Sequence, residues 1–224
     1  MPAAINTIMT MTTMSELLRL LIWLSPAFPT GAYAYSHGIE QVVEDGDITD
    51  GDTLREWLTD ILVHGSGRND AILLRHAHHP GADIEALNEL AIAIASSRER
   101  RMETLNQGTA FVAAAAAWHP PSLPARVAYP VAVGAMARHH CIDEDTTASA
   151  YVQAFAANLI SAAVRLVPLG QSAGLRVLAA LEPVIRQVTD STRASTLDDL
   201  GGCTFRSDLA AMRHETQYTR LFRS

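Results

Sequence analysis

What most constrains this chain is the spacing of its apolar residues. They recur three and four positions apart in segment after segment, and Pro or Gly closes each run. Leu54, Trp57, Leu58, Ile61 and Leu62 share one helical face. Ile84, Leu87, Leu90, Ala91 and Ile94 share a second, and Tyr151, Phe155, Leu159, Ile160 and Ala163 a third. Val, Ile, Thr and Tyr rarely fall in period-two runs, which argues against a sheet. Alanine, the best helix former, dominates many stretches, and Ala113 to Ala117 suits close helix packing. The expected fold is all-α, a single-domain bundle of about ten helices with no sheet.

The punctuation divides the chain further. Residues 1–14 are expected as a flexible N-terminal segment and 15–224 as one helical domain. Ser15-Glu16 opens an apolar helix that Pro26 and Pro29 stop. Gly31 to Gly38 is irregular, and the acidic stretch Glu44 to Asp52 reads as a turn or loop. Gly65 and Gly67 end the helix that Thr53 caps, and Asn69 caps the next. Ser97 opens a long helix toward Trp118. Tyr129 to His140 is helical, with Pro130 in its first turn. Gln171 to Leu181 and Pro183 to Val188 are expected as two separate pieces. Ser191 to Gly202 should be mobile, and Asp208 to Phe222 should form a last helix.

Composition excludes several chemistries. The formal net charge is −7 and no basic stripe stands out, so nucleic acid is a poor partner. Every Lys/Arg position is Arg. A Walker phosphate loop and a Schiff-base mechanism both need a Lys, so neither is available. Two distant cysteines, Cys141 and Cys203, fit a reducing compartment and a cytoplasmic protein. The run Leu17 to Leu24 is too short to span a bilayer and contains Arg19, so no membrane role is expected. There is no Gly-x-Ser-x-Gly elbow and no His-Glu-x-x-His helix. No catalytic residue and no cofactor is expected.

Imidazole and thiolate could bind nickel, zinc or copper, which makes His139, His140 and Cys141 weak metal candidates. Adjacent residues on a helix point apart, so a solvated helix end is the competing reading. His76, His78 and His79 before Pro80 raise the same choice. Two other segments stand out. Ser25 to Glu40 packs two Pro, two Gly, two Tyr and a Phe into an irregular stretch. It is either a rigid turn or an aromatic recognition surface. Met212 to Ser224 carries Tyr218, Leu221 and Phe222 between Arg residues. It should pack on its own core or dock on a partner as a helix.

These two segments carry a family resemblance. Ser25-Pro26-x-x-Pro29-x-Gly31-x-x-x-Tyr35-Ser36-x-Gly38-x-Glu40 is the first of four blocks. Arg98-Glu99-x-Arg101 with Asn106-Gln107-Gly108 is the second, and Ala163 to Gln171 the third. Met212-x-His214-Glu215-x-x-Tyr218-x-Arg220-Leu221-Phe222-Arg223-Ser224 closes the set. In this order they resemble the urease accessory protein UreF family. The resemblance implies a homodimeric, all-helical, non-enzymatic adaptor in urease maturation. Such an adaptor binds UreD (also called UreH) and recruits the GTPase UreG, for nickel insertion into the urease apoprotein. It further implies partner contacts by Tyr33, Tyr35, Glu40, Tyr218, Arg220, Leu221 and Phe222. Arg165 and Gln171 are regulatory candidates, or an Arg that ties helix ends together. His214 is either structural or in touch with passing nickel. An alternative implied role is activation of the GTPase through an Arg in trans, Arg220 or Arg165.

Overall fold

Five of the ten α-helices among the described residues begin where a short polar side chain takes free amides of the first turn. The structure, a computed structural model, describes residues 13–224. Its helices are α1 (Met14–Trp23), α2 (Ile39–Glu44), α3 (Gly51–His64), α4 (Ser66–His78) and α5 (Ile84–Ala93). They are followed by α6 (Arg98–Ala114), α7 (Tyr129–His139), α8 (Glu144–Leu166), α9 (Gly170–Ser191) and α10 (Phe205–His214). Thr13, Asp50, Asp83, Ser97 and Asp143 cap α1, α3, α5, α6 and α8 by accepting from amides of the first turn. No strand occurs among the described residues, and the fold is all-α as expected. The N-terminal segment expected over 1–14 lies outside the described residues except for Thr13 and Met14, the cap and first residue of α1.

The core sits around α7, in which every residue from Pro130 to Ala137 is buried. A helix that is apolar all round belongs in the interior. Helices α4, α5, α6 and α8 pack against it, and α9 packs on α3 and α8. Small residues permit the closest of these approaches: a Cβ on Gly134 would collide with the carbonyl oxygen of Leu74. A chain of rings ties the remaining layers. Trp23 of α1 meets Phe111 of α6 edge-on at 6.1 Å, Phe111 meets Tyr129 at 5.7 Å, and Tyr129 meets Tyr151 of α8 at 5.3 Å.

Five local expectations need correction. Asp50, not Thr53, caps α3, with Thr53 at the third position of the helix. Gly65 separates α3 from α4 by a single residue, and Asn69 lies inside α4. There the Asn69 side chain accepts from the amide of Gly201 at 3.1 Å. Pro183 does not divide α9, which runs unbroken from Gly170 to Ser191. The segment 191–202 is pinned: Arg68 donates to the Asp199 carbonyl at 2.5 Å, and Gly202 packs on the His64 carbonyl. The last helix ends at His214, and residues 215–224 form an irregular tail.

The α4–α7 contact generates a test. Gly134→Ala is expected to lower the chemical-denaturation midpoint and cost about 1–3 kcal/mol, as overpacking a filled core does. An unchanged midpoint would show that the contact is slack.

Candidate functional site

The tail turns back from α10 and crosses the segment 33–40. Gly38 makes this possible. Its φ is +78°, and a Cβ there would lie 2.8 Å from the Ala211 amide nitrogen, so α10 rests directly on bare backbone. The Arg223 amide donates to the Ala34 carbonyl at 2.8 Å, and the Ser36 amide donates to the Ser224 carbonyl at 2.7 Å. The Ser36 hydroxyl donates to that same carbonyl.

Three buried carboxylates lie beneath the tail: Glu40 of α2, and Glu99 and Glu103 of α6. Glu40 accepts from the Leu221 amide at 2.7 Å and the Phe222 amide at 2.9 Å. Glu99 accepts from Arg220 Nη1 at 2.7 Å. His214 is fully buried between them, with Nδ1 2.6 Å from Glu99 and Nε2 3.2 Å from Glu40. Glu103 accepts from the Ser224 hydroxyl at 2.8 Å and pairs with Arg100. Glu215 caps α6, accepting from the Arg98 amide at 2.8 Å. Every buried carboxylate here therefore has a donor, as burial requires.

The network continues inward. His37 shares a hydrogen bond with Ser66 at 2.8 Å, and its other nitrogen lies 3.9 Å from Glu103. His37 itself has φ +60°, uncommon for a residue with a side chain. Burial tends to raise the Glu103 carboxyl, but Arg100 and His37 outweigh it and hold the group down at about 2. A cavity of about 170 Å³ lies alongside, lined by Tyr33, Asp70, Arg100, Tyr129, Tyr151 and Asn158 among others. Of these lining residues, Tyr151 donates to Asp70 at 2.8 Å.

The two sequence segments thus meet, but their residues take different positions. Tyr33 is exposed, while Tyr35 is buried with its hydroxyl bonded to Asn106 at 3.1 Å. Glu40 is buried as an acceptor, not displayed on the surface. Tyr218 and Leu221 stand out in solvent, and Phe222 points in, with the Arg165 guanidinium 4.3 Å above its ring. Arg165 also donates to the Tyr33 carbonyl at 2.7 Å, so it ties the segments together from the exposed side of α8. Arg220 is engaged by Glu99. Gln171 is exposed in the first turn of α9 and takes no part in these bonds.

Among the described residues, no group of three or more His, Cys, Asp or Glu is arranged to hold a metal ion. Both nitrogens of His214 already face carboxylates. His140 lies 3.4 Å from an Arg19 nitrogen and 5.3 Å from the Trp23 ring, and burial and then Arg19 lower its pKa. Cys141, with φ +57°, faces solvent beyond the end of α7, where His139 is also exposed. His78 Nε2 donates to the Ile142 carbonyl (2.7 Å) and His76 Nε2 to the Ser195 carbonyl (3.1 Å), so both are tied into the fold.

One surface shares only Met212 with the residues singled out by their sequence pattern. On α10, Ser207, Ala210, Ala211 and His214 are buried, while Phe205, Leu209 and Met212 form an apolar ridge on the opposite side. Their i, i+4, i+7 spacing is present in the sequence, but the last helix expected over Asp208 to Phe222 contains only Leu209 and Met212 of the three. No helix among the described residues is long and apolar enough to cross a membrane.

Comparison with known proteins adds relatives. The family model for UreF matches residues 48–182. The urease accessory protein UreF of Xanthobacter autotrophicus is 52% identical over 222 residues, covering 93% of this chain and 91% of its own length. That of Mesorhizobium japonicum is 51% identical over 215 residues, covering 93% and 96%. That of Methylobacterium sp. strain 4-46 is 50% identical over 220 residues, covering 92% and 88%.

The buried network has a definite acid response. Burial, then Arg100, lowers the His37 ring from 6.5 to about 4. Between those values the unfolded chain binds a proton that the folded chain refuses, so His37 costs stability as pH falls through that window. Asp70, raised by burial from 3.8 to about 6 against the pull of Arg100, acts in the opposite sense. The expected result is that His37→Asn, which tolerates positive φ, flattens the fall in Tm between pH 6.5 and 4. Asp70→Asn should steepen it. Thermal melts across that range decide, and identical slopes in all three proteins would contradict the assignment.

Proposed function

The chain belongs to the UreF family of urease accessory proteins, and from that premise we propose that it acts as an adaptor. In this reading it binds UreD (UreH) and recruits the GTPase UreG, and the assembly delivers nickel, as cargo, to apo-urease in the cytoplasm. The adaptor itself works as a homodimer and catalyses no reaction. The observation that carries the reading is the single surface made by the tail and the segment 33–40. Tyr33, Tyr218 and Leu221 are exposed on it, and along the chain it continues the ridge of Phe205, Leu209 and Met212. Clustered apolar side chains at a surface mark a contact site more often than scattered ones do. Tyr in particular gives large contact area at low cost in rotamer freedom.

The two arginines considered for activation of the GTPase are both engaged: Arg220 by Glu99, Arg165 by the Tyr33 carbonyl and the Phe222 ring. The geometry therefore favours a docking role for this surface over an arginine donated in trans.

A chain ending at Glu215 provides the test. It keeps α10 and the Glu215 cap on α6, so its far-ultraviolet circular dichroism should match that of the full chain. Co-purification with UreD should be lost, and with it recruitment of UreG. A truncated chain that still captures UreD would reject the tail as the docking element. In parallel, Arg220→Ala and Arg165→Ala should leave the GTP turnover of the assembled complex unchanged per bound UreG.

A further inference from the structure

We infer that Glu40 is the positioning residue of the docking face, the group that turns Leu221 outward and Phe222 inward. The inference rests on the adaptor reading above and goes further by naming what sets the face's geometry.

One carboxylate receives two consecutive backbone amides. Oε1 takes the Leu221 amide at 2.7 Å, and Oε2 takes the Phe222 amide at 2.9 Å together with His214 Nε2 at 3.2 Å. Two amide donors and an imidazole nitrogen converge on two oxygens, and Glu40 is only 7% exposed. Two successive amides aimed at one anion fix the backbone direction at that point. The side chains then have no choice of side. Phe222, 5% exposed, goes beneath Arg165, and Leu221, 76% exposed, goes to solvent.

The other anchors lie on either side of this turn. Arg220 is held by Glu99, Arg223 by the Ala34 carbonyl, and Ser224 by Ser36 and Glu103. Loss of Glu40 would therefore leave the tail attached while freeing the orientation of residues 221 and 222. A glutamine at position 40 has nearly the same shape but one acceptor oxygen, and its NH₂ would face an N–H donor. It disturbs the turn without opening a cavity.

The experiment uses the full chain with Glu40→Gln, with Leu221→Ala as a probe of the face itself. Three quantities are read: Tm, hydrogen exchange at the Leu221 and Phe222 amides, and affinity for purified UreD. The expected result for Glu40→Gln is a near-normal Tm, loss of protection at those two amides, and binding weakened about tenfold, the scale of a lost hydrogen bond to a charged group. Leu221→Ala should weaken binding while both amides stay protected. If Glu40→Gln loses the protection but binds normally while Leu221→Ala binds poorly, the positioning role is overturned and the adaptor reading stands. If neither variant affects binding, the reading of the tail as a docking surface fails, and the inference with it. Two amides unprotected in the unsubstituted chain would also overturn it. Should Glu40→Gln not fold, Glu40→Asp keeps the charge but shortens the reach by one methylene, and the same three measurements then decide between the same outcomes.

Discussion

Everything at this end of the molecule depends on three buried carboxylates having donors. Glu40, Glu99 and Glu103 are nearly inaccessible to water, and an ionised carboxylate in that position is costly unless it is fully bonded. The bundle alone supplies part of what they need, through Arg100 and Gln107 at Glu103. The remaining donors come from the C-terminal region: the amides of residues 221 and 222, His214, Arg220 and the Ser224 hydroxyl. The tail is thus the counterpart of charges that α2 and α6 bury in advance.

The two halves of the structure are held by different forces. Around α7 the packing is apolar and close, and Gly108 and Gly134 mark places where backbone meets backbone. Such interiors have little room to rearrange. The tail buries only Phe222 among its large side chains and is otherwise held by polar bonds. Hydrogen bonds are directional, whereas apolar burial is not. A segment held in this way has a defined course.

The bundle was largely legible in the sequence, because helical spacing and cap residues are local signals. Thr13, Asp50, Ser97 and Asp143 start helices close to where short polar residues precede apolar runs. The misjudged places are those where distant residues decide. Tyr218, Leu221 and Phe222 have helical spacing, but Glu40, 181 and 182 residues away from Leu221 and Phe222, captures the two amides and draws the chain out of helix. Pro183 should interrupt α9, yet packing of α9 on α3 and α8 carries the helix through it. The site was legible as two unusual segments, but not as one surface. No spacing rule could show that Tyr35 turns inward to Asn106 while Tyr33 turns outward.

Under the proposed adaptor role, the arrangement also bears on how a docking segment can be short. A disordered peptide must be ordered when it binds, and that cost is taken from its affinity. Here the course of residues 215–224 is set within the chain itself, by carboxylates beneath and by pairing with Ala34 and Ser36 alongside. The exposed Tyr218 and Leu221 are then displayed on an ordered backbone, beside a helix whose outer ridge is already apolar. A few side chains suffice when the backbone that carries them has been placed beforehand. The buried carboxylates do that placing, which accounts for acidic residues occupying positions that a bundle built only for stability would fill with apolar ones.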